Sequence, residues 1–489
     1  MNLFLISPEI TLFCGALLIL MLDVFLGKKF KEIFYATHLI SMIFCTAALF
    51  LVIQNFVKTD LIFNQMFITN SFTSFAKAIA LLLLTIIILF SLNFIASVKK
   101  ISAEFLALLM IATTGGMVLI SANDFLVFYL GLELQALPLY LLAALNRSSA
   151  KSSEAGMKYF ILGCLASGIL LFGISMIYGF SGTTNFNALM QLYYGINAEA
   201  NSIPVGVMFG FILVITAMFF KISAAPFHMW APDVYEGSAS VVTSFFATVV
   251  KFTSVMALLR LFSNLIIGWN GIEKIFIFTA LLSLAVGSFG AIFQKNFKRL
   301  LAYSSIGHVG FILLGMASFG KQGFASCIFY ILIYAFISIG SFGFLTLMRS
   351  AKTDQESDAE NEKVFAISSL SGLAKTNPVM AFSLATLMFS TAGIPPLAGF
   401  FSKFYILAAA MNRGFLITSI LAVLFSVISA YYYLRIVKII YFDEPQKNVM
   451  RLENIANVKL VIFLTAIMNL TLIFFLQDIL SFIANFLVF

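Results

Sequence analysis

Charge is scarce in this 489-residue chain, where Asp, Glu, Lys and Arg make up 10% of the residues against 61% apolar ones. Mean hydropathy is +1.04. A water-soluble domain needs more charge than this to cover its surface, so the medium is lipid. Cysteine is scarce as well. The four, Cys14, Cys45, Cys164 and Cys327, stand far apart and form no CxxC or CxxH cluster, so no iron–sulfur or zinc site is written locally. Neither a GxGxxG nor a GxxxxGKS/T loop occurs, which leaves nucleotide phosphates without a local cradle. The chain is expected to bind no cofactor, and any redox step coupled to it belongs elsewhere.

What the chain has in abundance is long apolar runs. A spanning helix needs about 20 apolar residues, whereas a barrel strand alternates its polarity over about 10, so these runs select helices. Spans are expected near 3–26, 33–57, 70–96, 104–121, 124–145, 156–180, 204–229, 237–262, 274–293, 299–318, 324–348, 378–411 (interrupted), 415–441 and 459–486. The fold class is thus an all-α polytopic membrane protein of about fourteen helices. The first span opens with Pro8 and Glu9, follows no basic stretch and precedes no small-residue cleavage site, so it reads as an uncleaved helix.

The basic residues sort by loop. Alternate loops hold Lys28, Lys29 and Lys31; Lys99 and Lys100; Arg147, Lys151 and Lys158; Lys295, Lys298 and Arg299; Arg349, Lys352, Lys363 and Lys375; and Arg435, Lys438, Lys447, Arg451 and Lys459. The opposite side has only Lys58, Arg260, Lys274, Lys321 and Arg413, and the positive-inside rule puts it outside together with both termini. The net charge of +8 is therefore topogenic and does not indicate nucleic acid. Lys77, Lys221, Lys251 and Lys403 belong to neither side, because they fall within spans.

Two spans are interrupted, one by KISAAPFHMWAP with Pro226 and Pro232, the other by STAGIPPLAGFFSKF with Pro395 and Pro396 between Gly393 and Gly399. Proline removes a backbone donor and clashes with the preceding turn, so both segments free polar backbone at membrane depth, where only protein or a water-filled cavity can receive it. The breaks lie in spans seven and twelve. Paired breaks five spans apart suggest two five-helix repeats, the second inverted. The expected organisation is a three-helix segment over 1–103, a first repeat over 104–262, a second over 263–441, and a last helix over 442–489. The polar stretch 349–377 lies between spans as a cytoplasmic loop.

Glu133 is nine residues beyond Asp124, about 13 Å into its span. Lys251 is as far from Arg260, and Lys403 about 15 Å from Arg413. Lys221 immediately precedes the first break. An ionised side chain at the bilayer centre costs at least ~2.5–3.5 kcal/mol, so function is the default reading of this set. A carboxylate beside a buried lysine raises its proton affinity, so pairing and separating Glu133 and a lysine would load and release a proton. Ser240, Ser244, Thr248, Lys251 and Ser254 share a helical face in span eight, as do Ser383, Thr386 and Ser390 in span twelve, and both faces read as hydrated. His308, with Ser304 and Ser305, adds a titratable group in span ten. Lys77, seven residues into its span, is expected to reach the interface. Asp23 and Asp124 read as interfacial, and His228 and Trp230 as headgroup anchors.

The segments NDFLVFYLGLELQALPLYLL, FKISAAPFHMWAPDVYEG, KRLLAYSSIGHVG and TAGIPPLAGFFSKF carry a resemblance, covering nearly the whole chain, to the antiporter-like membrane subunits of respiratory complex I. The resemblance implies proton half-channels joined by a polar axis, with Glu133, Lys221, Lys251 and Lys403 at the family's glutamate and lysine positions. It implies M-, K- and J-type membrane neighbours, with NADH, FMN, iron–sulfur clusters and quinone held by partner subunits in a bacterial inner membrane. Lys403 points to the N type over the M type, which has glutamate there, and the short stretch after helix fourteen sets the chain apart from the L type. A subunit of a multi-subunit cation/proton antiporter or of a membrane-bound hydrogenase, and a membrane scaffold without transport, remain alternatives.

Overall fold

The computed structural model describes residues 3–26, 33–56, 58–98, 102–146, 148–194, 203–265, 271–350, 363–445 and 450–486. Lys28, Lys29, Lys31, Lys99, Lys100, Arg147, Lys352, Lys447 and residues 351–362 of the polar stretch 349–377 lie outside them.

The chain is almost wholly helical. Its helices are α1 (Ser7–Leu26), α2 (Ile33–Gln54), α3 (Ser71–Val98), α4 (Ser102–Ser121), α5 (Phe125–Ala143), α6 (Ala150–Ser181), the short α7 (Phe186–Tyr194), α8 (Val205–Lys221) and the short α9 (Trp230–Gly237). There follow α10 (Ser240–Phe245), which runs through a π-helical turn at Phe246–Val250 into α11 (Lys251–Leu265), then α12 (Ile272–Ile292), α13 (Phe297–Ala317) and α14 (Gly320–Leu347). The last six are α15 (Leu373–Thr376), α16 (Pro378–Ala392), α17 (Ala398–Asn412), α18 (Leu416–Phe442), α19 (Ala456–Thr471) and α20 (Leu476–Phe486). Two small antiparallel pairs complete it, β1 (Asp60–Ile62) with β2 (Phe67–Thr69) and β3 (Met348–Ser350) with β4 (Met450–Leu452).

Among the described residues, 12 helices are long and apolar enough to cross a membrane, and two shorter apolar ones, Val205–Lys221 and Pro378–Ala392, accompany them. The two short ones are the leading halves of the spans expected to be broken, because each stops where its proline segment begins. At the starts of a few helices, side chains take up orphan backbone groups. Asp124 caps α5 by accepting from Leu126 N at 2.8 Å, and Asn296 caps α13 by accepting from Lys298 N at 2.9 Å. Pro378 opens α16, where its missing N–H costs nothing, and Gly393 closes it at φ +86°.

Burial separates the helices into layers. The α10–α11 rod is buried along its membrane length, and α13 and α14 nearly so, whereas α1, α2, α6 and α18 expose most of theirs. The inner helices carry Lys251 and His308, which places the titratable groups away from lipid.

Candidate functional site

At the first break, α8 ends on Lys221, and the backbone turns through Ser223, held in the left-handed region at φ +61°. The polar backbone freed by this turn is received by protein. Ala225 N donates to Ser283 Oγ at 2.8 Å, and Trp230 Nε1 donates to Phe220 O at 3.0 Å. Ser223 Oγ in turn accepts from Lys251 Nζ at 3.2 Å. Thus Lys221 and the acceptor of Lys251 are two residues apart on one turn. Non-glycine residues in this backbone region store strain and persist where surrounding contacts hold them, as here.

Lys251, buried at the first position of α11, also donates to Ser305 Oγ on α13. The neighbouring Ser304 is hydrogen-bonded to Tyr433 Oη on α18. Tyr433 Oη lies 3.3 Å from His308 Nε2, and His308 Nδ1 lies 2.7 Å from Tyr330 Oη. Beyond the histidine, a cavity of about 10 Å³ is lined by Ser304, His308, Thr391, Lys403, Ser429 and Tyr433 among others. A volume of that order with several polar walls holds about one water.

Lys403 closes the series at the second break. Its Nζ donates to Ala392 O at 2.9 Å and Ser426 Oγ at 3.0 Å. Ala392 is the last residue of α16, so the lysine serves a carbonyl released by the break. Ser390 Oγ accepts from Gly399 N at 3.1 Å and donates to Asn469 Oδ1 at 2.8 Å. A Cβ at Gly399 would lie 1.8 Å from Ser390 O, so the two half-helices approach as only glycine allows.

Glu133 is half-buried on α5 and accepts from Ser167 Oγ on α6. Among the described residues it forms no ion pair with Lys221, and Lys221 Nζ makes no direct hydrogen bond. Pairing across these positions is thus not direct in this structure. On α5, Glu133 interrupts an exposed row formed by Leu126, Leu130, Leu137 and Leu141.

Several hydroxyls of the two expected polar faces bond to their own helices. Thr248 donates to Ser244 O at 2.6 Å and Ser254 to Val250 O at 2.8 Å, so their protons are spent on their own helix. Ser383 and Thr386 back-bond in the same way, each at 2.9 Å. The π-helical turn also breaks the periodicity on which the span-eight face rests.

Two boundary readings are corrected. Lys77 does not reach the interface: it is 2% exposed and pairs at 2.6 Å with Glu9 of α1, itself 3% exposed. Trp230 is no headgroup anchor, because it is buried and stacks on Tyr159 at 4.5 Å. Asp124 is buried as a helix cap that also accepts from Thr184 Oγ1 at 2.7 Å. Asp23 is half-buried.

At the start of α13, Arg299 binds Asp233 at 2.8 Å and Glu236 at 3.0 Å, while Lys158 of α6 binds Asp233 at 2.7 Å. Burial alone would push the Asp233 carboxyl up, but the hydrogen bond from Lys158 and the charge of Arg299 hold it below the usual carboxylate range. This cluster ties α9, next to the first break, to α6 and α13.

Ser167, Ser223, Tyr330 and Tyr433 were not singled out by the sequence, although the run Tyr431–Tyr433 in an apolar span was a usable signal. Among the described residues, no group of three His, Cys, Asp or Glu side chains is placed to hold a metal ion.

Buried lysines at two broken helices, with a buried histidine and hydroxyls between them, give the chain the architecture of the antiporter-like membrane subunits. The family described as NADH:quinone oxidoreductase/Mrp antiporter, TM, matches residues 122–429, and the chain belongs to it. It is 44% identical over 444 residues to an NADH-quinone oxidoreductase subunit N of Paramagnetospirillum magneticum, covering 90% of this chain and 88% of that one. Its fold matches a chain of respiratory complex I from Thermus thermophilus with a TM-score of 0.80 and 26% identity, over 97% of this chain and 98% of that one. A chain of the Mrp complex from a Dietzia species shares the fold with a TM-score of 0.82 at 20% identity, over 99% of this chain and 97% of that one.

Proposed function

We propose that this chain is the proton-translocating N-type membrane subunit of a bacterial NADH:quinone oxidoreductase, and that it moves protons along Glu133, Lys221, Lys251, His308 and Lys403. The observation that carries the reading is the line of buried groups running from Ser223 through Lys251, Ser305, Ser304 and Tyr433 to His308. Each neighbouring pair is hydrogen-bonded or adjacent in sequence, and Lys403 borders the same cavity as His308.

Chemically, the residues act as proton holders of alternating capacity. A lysine desolvated in the membrane gives up its proton more readily, and a nearby carboxylate restores its affinity. Histidine and tyrosine between the lysines can each accept one proton while passing on another. The subunit performs no redox step in this reading. NADH, FMN, iron–sulfur clusters and quinone belong to partner subunits, and their chemistry biases the Glu133 end.

Glu133, half-exposed within its row of leucines, supports a membrane-subunit neighbour on that face, because lipid cannot solvate a carboxylate. M-, K- and J-type subunits are the neighbours this reading assigns. The two breaks, each serving a buried lysine, support two inverted five-helix repeats over 104–262 and 263–441. The membrane is the bacterial inner membrane, with both termini on the periplasmic side. Sequence identity of 44% to an N subunit favours this reading over a cation/proton antiporter, a membrane-bound hydrogenase or a scaffold.

The test is proton pumping by the reconstituted complex carrying Lys221→Ala or Glu133→Gln. A lowered proton-to-electron ratio is expected, and an undiminished ratio in both variants would overturn the assignment.

A further inference from the structure

Between α5, α6 and α8 lies a second small cavity, also of about 10 Å³, lined by Gly163, Ser167, Lys221 and apolar side chains. Three polar groups border it or its wall. Ser167 Oγ donates its proton to Glu133 and keeps its lone pairs free for another donor. Lys221 Nζ carries three protons and makes no direct hydrogen bond among the described residues. Tyr140 Oη is buried without a partner, and a Cβ at Gly163 would lie 2.0 Å from it. The tyrosine ring centroid is 5.8 Å from Lys221 Nζ. A cavity holding about one water needs two to four polar partners, and these groups supply them.

We propose that this cavity binds one structural water and that Ser167 is the positioning residue through which Glu133 and Lys221 exchange a proton. The proposal rests on the reading of Glu133 and Lys221 as proton sites. The lysine ammonium donates to the water, the water to Ser167 Oγ, and Ser167 to the Glu133 carboxylate. In the concerted shift, one N–H bond of Lys221 breaks and one O–H bond forms on the carboxyl group. The water and the serine each gain one proton and lose one, so both are regenerated. Lys221 ends neutral and Glu133 protonated, and reversal restores the charged pair. Tyr140 Oη orients the water, and the absence of a side chain at Gly163 leaves space for that hydroxyl.

The test compares Ser167→Ala, Ser167→Thr and Gly163→Ala with Glu133→Gln in the assembled complex. Proton uptake on NADH oxidation and the infrared carbonyl stretch of protonated Glu133 are both recorded. Ser167→Ala is expected to slow proton-coupled turnover about 100-fold, the lower end for loss of a proton-relaying group. The carboxyl stretch should move because Glu133 loses its donor, and Ser167→Thr, which keeps the hydroxyl, should restore both readouts. Gly163→Ala, which crowds Tyr140, should slow turnover while leaving the stretch in place. Unchanged turnover and stretch in Ser167→Ala, alongside a defective Glu133→Gln, overturn the relay and leave the proton-site reading standing. Normal pumping in Glu133→Gln and in Lys221→Ala alike overturns that reading itself. If Ser167→Ala does not assemble, the Ser167→Thr and Gly163→Ala pair decides: wild-type turnover in Gly163→Ala counts against the water.

Discussion

Lys403 Nζ is 2.9 Å from the carbonyl oxygen of Ala392, eleven residues earlier across the second break. One side chain therefore does two things: it belongs to the proposed proton line, and it satisfies backbone that the interruption of the helix set free. Replacing Lys403 with Met should leave the Ala392 carbonyl and Ser426 without their donor. A buried acceptor stranded in this way costs about 1–3 kcal/mol. Loss of pumping together with a lower thermal midpoint of the complex is expected, while Lys403→Arg, which keeps a donor, should recover more of the stability than of the pumping.

Glu9 and Lys77 form the most deeply buried ion pair described, and they lie outside the proposed proton line. Removing one partner from a buried pair is strongly destabilising, about 3–5 kcal/mol, because the other charge is left uncompensated. Glu9→Gln should thus reduce subunit assembly, whereas the double change Glu9→Leu with Lys77→Met should assemble and pump normally. Assembly is read from membrane content of the purified complex, and failure of the double variant to recover would show that the charges themselves are needed.

Tyr433 of α18 joins Ser304 to His308, both on α13. Tyr433→Phe keeps the ring and its packing but removes the hydroxyl, so turnover coupled to pumping should fall about 100-fold with little change in stability. A wild-type rate would remove α18 from the route.

Gly399 packs its α-carbon against the Ser390 carbonyl, where a methyl group would lie 1.8 Å away. Gly399→Ala must push the half-helices apart at a cost of about 1–3 kcal/mol. Displacement of Lys403 follows from that movement, so pumping should fall with the thermal midpoint, and retention of both would contradict the packing.

The Asp233 cluster predicts a dependence on acid. Because this carboxyl is held below its ordinary value of 3.8, its contribution to stability is present above that value and is lost as pH falls through the lowered folded one. Asp233→Asn should flatten the acid limb of a thermal-midpoint profile in detergent and leave its neutral plateau lower. Lys158 and Asp233 are both partly exposed, so the effect is smaller than for Glu9 and Lys77.

Much of this arrangement could be read in the amino-acid sequence. Apolar runs separate at polar punctuation, prolines mark the broken helices, and a charge among apolar residues stands out, so Glu133, Lys221, Lys251 and Lys403 were visible. The groups that join them were not. A serine such as Ser167 or Ser223 is common in membrane helices, and its partner is set by tertiary contact across helices. Lys77 was misjudged because its distance from the helix end was compared with side-chain reach. Its partner, Glu9, is 68 positions earlier, and no local pattern connects them. Trp230 was misjudged for a related reason: tryptophan favours headgroups only where lipid meets it, and here Tyr159 does.

The π-helical turn at Phe246–Val250 places one more residue in its turn than an α-helix requires. Side chains after it are rotated by about 100° from where unbroken periodicity would aim them. Lys251 follows directly, so its direction toward Ser223 and Ser305 depends on chain length as much as on residue identity. A single-codon deletion within 246–250 would leave every proton-holding side chain in the protein and still turn Lys251 away from its acceptors.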